Sequence, residues 1–173
     1  MKCIHPRKAH KLMAEFLNCA CDLFCEDEKT EIILKKGFCF SAESVDCVAD
    51  CEELEIEYNF EQIWDDGMLL FRNYWTERVP MLKQFANITL TLLHELGHLE
   101  TSDEVRQTFS FKDRHLLWET IDLLYNDDIE KNYKYFAMPD EASATMWGIN
   151  WLIDTNHQVI VKEFEKNFMA CFK

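Results

Sequence analysis

His94, Glu95 and His98 fall in the stretch Leu92 to Leu99, which reads LLHELGHL. In a helix, the four-residue spacing puts both imidazoles on one face, a turn apart, where both reach a single ion. Glu95 beside them matches the carboxylate of the HExxH spacing. That residue is not a ligand; it takes a proton from water and hands it to a leaving amine. The chemistry so written is metal-assisted hydrolysis of an amide bond. This composition would spell the pattern by chance in roughly one chain in 45. The neighbours weigh further against accident. Leu92, Leu93, Leu96 and Leu99 surround the polar trio, and each polar group in an apolar helix carries a desolvation cost unless an ion satisfies it.

Catalytic zinc takes three protein ligands and keeps one position open. The extended spacing HExxHxxGxxH needs Gly at 101 and His at 104, where this chain has Thr101 and Glu104. A carboxylate from a downstream helix is the other route. Pro139 and Asp140 mark a helix start, which sets Glu141 in the first turn. Ala144, Thr145 and Gly148 follow at i+3, i+4 and i+7, a stripe of small residues that lets another backbone come close to the Glu141 face. Glu119 and Glu104 stand as alternatives for the third ligand. His115 and His157 have no motif around them and read as surface or packing histidines. Tyr133, Tyr135, Arg114 and His115 are the candidates for an oxyanion donor.

The elements that must hold these groups follow from periodicity. Leu12, Phe16, Leu17 and Ala20 give the N-terminal segment a helical stripe, so a helix is expected over 6–24. A strand or short hairpin is expected over 31–40. Strict alternation over 53–61 predicts a strand with a solvated acidic face. Asp66-Gly67 reads as a turn, and MLLFRNYW (68–75) as a second strand. That strand is expected to serve as the sheet edge on which an extended substrate lies. From Met81 the period becomes helical: Met81, Phe85, Ile88, Leu92, Leu96 and Leu99 form one stripe of a buried helix over 81–100. Further helices are expected at about 112–126, 140–153 and 156–171. The expectation is one α+β domain over 1–173, mainly helical, with a small antiparallel sheet (about 31–75) packed on the central HExxH helix.

Composition narrows the function classes. Gly (4) and Pro (3) are too scarce for a turn-rich sandwich or barrel. With 18 basic against 32 acidic residues and a net charge of −14, a basic face that grips nucleic acid is not expected. No run approaches the ~20 apolar residues of a membrane span. The N-terminus is basic and then apolar, but Glu15, Asn18 and Asp22 interrupt the apolar part and no small-residue cleavage site follows. A cytoplasmic protein is therefore expected, with its eight cysteines reduced. Cys19, Cys21 and Cys25, then Cys47 and Cys51, contain no CxxC pair and read as small core residues.

HELGHL in a helix after a small sheet, with a helical E-A-x-A segment downstream, resembles the ImmA/IrrE-type metallopeptidases, compact gluzincin-like proteins of bacteria, phages and mobile elements. The resemblance spans roughly residues 50–153. It implies one catalytic zinc on His94, His98 and Glu141, with Glu95 as base. It also implies an intracellular protein substrate, typically a helix-turn-helix repressor. Two rival readings accompany this zinc endopeptidase: a zinc-containing regulator that binds without cleaving, and an acidic interaction protein in which the motif is incidental.

Overall fold

Two helices cross at their smallest residues, and the rest of the chain is arranged around that crossing. The computed structural model describes residues 2–22, 31–36, 41–48, 51–58, 60, 64 and 66–173. Among them are seven helices: α1 (Pro6–Asp22), α2 (Asp66–Arg78), α3 (Asn87–Thr108), α4 (Phe111–Leu124), α5 (Asp128–Phe136), α6 (Pro139–Ile153) and α7 (Thr155–Met169). Three strands accompany them: β1 (Glu31–Lys36), β2 (Ser41–Val48) and β3 (Cys51–Tyr58). The chain is mainly helical. Among the described residues, no helix is long and apolar enough to cross a membrane.

α1 starts at Pro6, whose missing N–H costs nothing in the first turn. Its stripe of Ala9, Met13, Phe16, Leu17 and Ala20 is buried against α3, α7 and β1. Phe16 stacks on Phe164 of α7 at 4.4 Å and meets Trp151 of α6 edge-on at 5.9 Å. The central element is α3, whose Leu92, Leu93 and Leu96 are almost wholly excluded from water. Glu165 of α7 fixes its start: one carboxylate oxygen accepts both the Ala86 N–H and the Thr89 hydroxyl at 2.6 Å. Shorter elements carry their own caps. Ser110 and Asp113 close a reciprocal capping box on α4, and Asp127 caps α5.

Several expectations are corrected. Residues 68–75 are not a strand but belong to α2. The apolar run Met68 to Phe71 is ambiguous by itself. Burial resolves it, because Phe71, Tyr74 and Trp75 are buried at i, i+3 and i+4 while Leu69 is exposed. The role of sheet edge assigned to this segment falls with it. The expected helix at 81–100 is divided: Pro80–Gln84 forms a 3-10 turn, Phe85 and Ala86 are extended, and α3 then runs on to Thr108. Thr101 does not end it, since its hydroxyl turns back to the Gly97 carbonyl at 2.8 Å.

α5 was not foreseen, and neither was β2. The sheet is not antiparallel throughout. Its order is β1-β3-β2, with β1 parallel and β2 antiparallel to β3. β2 and β3 both lie against α3. The alternation expected over 53–61 is met at its end by buried Tyr58 and Phe60, although the strand itself stops at Tyr58. The segment 37–40, the end of the first helix at 23–24, and Cys25 lie outside the described residues, as do the side chains of Cys47 and Cys51.

Candidate metal centre

The closeness of α3 and α6 is what makes a shared site possible, and it depends on two glycines. A Cβ built at Gly97 would run into the backbone carbonyl of Ala144, and one at Gly148 would come within 3.1 Å of the Leu93 Cβ. The stripe of small residues after Glu141 is therefore the face on which the two helices meet. Glu141, Ala144, Thr145, Gly148 and Leu152 are all buried along it.

Across this contact, α3 supplies His94 and His98 and the first turn of α6 supplies Glu141. The Nε2 atoms of His94 and His98 are 3.1 Å apart. Glu141 Oε2 lies 3.1 Å from His94 Nε2 and 3.5 Å from His98 Nε2. Ligands at ~2.0–2.1 Å from a tetrahedral ion are separated by about 3.3 Å. The three atoms thus mark out one face of such a tetrahedron. All are hard or borderline donors suited to zinc. Among the described residues, this is the group of histidine, cysteine and carboxylate side chains whose ligand atoms converge for an ion.

Two of the three groups, His94 and Glu141, are oriented by further contacts. His94 Nδ1 sits 2.8 Å from the Thr145 hydroxyl. A proton on Nδ1, donated to Thr145, leaves Nε2 bare for an ion. The edge of Phe71 packs on the same imidazole at 4.8 Å. Behind His94 lies an apolar pocket walled by Phe71, Trp75, Leu82, Leu90 and Leu93. Glu141 has its two oxygens divided: Oε2 faces the histidines, while Oε1 accepts from Arg114 Nη2 at 2.9 Å. The same guanidinium pairs with Asp140 at 2.8 Å and donates to the Tyr135 hydroxyl at 2.9 Å.

The electrostatics agree with a site built for a cation. Burial alone would raise the Glu141 carboxyl, but hydrogen bonds from His94 and His98 outweigh it and hold the group well below the usual carboxylate range. His98 is raised. Burial would lower it, but the Glu141 hydrogen bond together with the charges of Glu141, Glu95 and Asp140 prevails. The Tyr135 phenol is pushed up by burial and by the Glu141 charge, so it stays a donor. Glu95 is buried on α3 next to His94, only 7% exposed, and its charge acts on His98.

The remaining candidates stand elsewhere. Glu119 is exposed on α4, 3.3 Å from His115 and away from the cluster, and both are surface groups. The Glu104 side chain lies outside the described residues. His157 stacks on Trp151 at 4.2 Å, with Nδ1 at 2.7 Å from that residue's carbonyl, as a packing histidine does. Tyr133 packs edge-on against Tyr74. Arg114 is tied to Glu141 and Tyr135 to Arg114, roles that sequence reasoning did not assign them. Thr145 was read only as a small residue. Its place four residues after Glu141, on the same face, was the available sign that it could support a ligand. Comparison with family models, with curated proteins and with solved structures finds no match to this chain.

Proposed function

We propose that this chain is a zinc-dependent endopeptidase that hydrolyses a peptide bond in a protein substrate. The observation that carries the reading is the convergence of His94, His98 and Glu141 at the spacing of tetrahedral ligands. A central HExxH helix, a facing helix that offers a glutamate and a small sheet alongside support a zincin-like domain.

A zinc ion held by His94, His98 and Glu141 would supply Lewis acidity there, of the kind that activates water and a peptide carbonyl. The chain's own residues do the rest. Thr145 keeps the His94 ring in the tautomer that presents Nε2. Arg114, which also donates to the Tyr135 hydroxyl, holds one oxygen of Glu141 and leaves the other to face the histidines. Glu95 accepts the proton of the attacking water and delivers it to the leaving amine, so that a carboxylate and an amine replace the amide. The apolar wall behind His94 keeps bulk water off the far side of the ring.

The resemblance to ImmA/IrrE-type enzymes suggests a cytoplasmic setting and a DNA-binding repressor of a mobile element as substrate. A net charge of −14 suits a basic target of that kind. The test pairs two variants. Glu95→Gln should retain zinc and lose cleavage by at least about a hundredfold. His94→Ala should lose both. Cleavage or a biological effect that survives Glu95→Gln would make this a zinc-containing binding protein rather than a peptidase.

A further inference from the structure

α4 is amphipathic in an unusual sense: it has an inner face, and an outer apolar face that none of the described residues covers. Its inner side carries Arg114, Ile121 and Trp118. Ile121 is buried, Trp118 meets Tyr135 at 5.4 Å, and Arg114 reaches Glu141. The outer side repeats a pair of leucines at i and i+7, Leu116-Leu117 and Leu123-Leu124. Leu116 is 60% exposed, Leu123 83% and Leu124 66%. Seven-residue spacing of apolar pairs is the pattern with which one helix receives another. The surroundings are acidic. Glu119 and Asp122 flank the leucines, and Asp127, Asp128 and Glu130 follow directly after the helix. Lys131 offsets Asp122 at 2.6 Å, and His115 lies 3.3 Å from Glu119. Lys112 and Lys134 stand against Glu119, Asp127, Asp128 and Glu130, so the surroundings keep a net negative charge.

We propose that the outer face of α4 docks an amphipathic helix of a partner protein, one with an apolar stripe edged by lysine and arginine. The leucines supply apolar area, and the acidic border selects the sign of the partner's flanking charges. A second copy of this chain fits worse. It would set the acidic border against itself, between two molecules that each carry −14. This docking needs no zinc and does not depend on cleavage.

The test titrates the full chain into a fluorescently labelled helical peptide the length of α4, with leucines on one face and lysines along its edges. Binding should weaken as salt is added. A matched peptide with glutamates in place of the lysines should bind at least about tenfold more weakly. The exposed double variant Leu116→Ser/Leu123→Ser, checked for unchanged circular dichroism and melting temperature, should lose at least about tenfold towards the lysine peptide. Equal binding of the two peptides, or unchanged binding by the double variant, would overturn the proposal. So would a dimer in sedimentation equilibrium that the double variant dissolves, because the occupant would then be a second copy.

Discussion

Glu141 illustrates how an ordinary residue can be prepared to act as a ligand. A glutamate in the first turn of a helix is commonplace, favoured there by the helix dipole alone. Here its oxygens are allotted separately, Oε1 to Arg114 and Oε2 to the histidine pair. The guanidinium fixes the plane of the carboxylate and so restricts it to offering one oxygen across the helix contact. Arg114→Ala should therefore reduce zinc affinity by about 10–100-fold, as loss of a ligand's hydrogen-bond partner does, while helical content is retained. Competition with a chromophoric chelator measures this directly. Arg114→Lys should recover only part of the loss, since a lysine cannot reach Asp140 and Glu141 with the same planar fork. None of this was legible in the sequence. Arg114 lies 27 residues before Glu141, and no periodicity links positions on different helices.

At the scale of elements, the site is a consequence of how near α3 and α6 come to each other. HELGHL contains its own instrument for that approach, because Gly97 leaves room for the Ala144 carbonyl one turn after His94. Gly97→Ala should destabilise the fold by about 1–3 kcal/mol, since the colliding atoms are backbone and cannot rotate away. Denaturant unfolding would show it, and zinc affinity should drop in parallel as Glu141 is pushed back. A stability equal to that of the unsubstituted protein would mean that the helices are not in contact there.

The two helices that build the site were readable from spacing and from the Pro139-Asp140 start. The supports around them were less so. MLLFRNYW has a four-residue apolar run that suits strand or helix equally, and only burial at Phe71, Tyr74 and Trp75 decides for a helix. The direction of β1 against β3 is a pairing across more than twenty residues, fixed by tertiary contacts rather than by local pattern.

For the whole molecule, one physical account connects these scales. A chain with scarce glycine and proline folds into helices, spends two of its four glycines on a single helix contact, and places there three groups whose potential ligand atoms converge. The overall excess of acid raises the attraction for cations and basic partners alike, without determining which one binds. The exposed Leu116 and Leu123 of α4 lie on the side of that helix away from Arg114, so the proposed recognition and the proposed chemistry would use two faces of one element.

The most direct measurement is the zinc content of the purified full chain, compared with that of Glu141→Ala and Glu119→Ala. The account predicts about one zinc per chain in the unsubstituted protein and in Glu119→Ala, with loss in Glu141→Ala. Zinc retained undiminished in Glu141→Ala, or lost in Glu119→Ala, would contradict it.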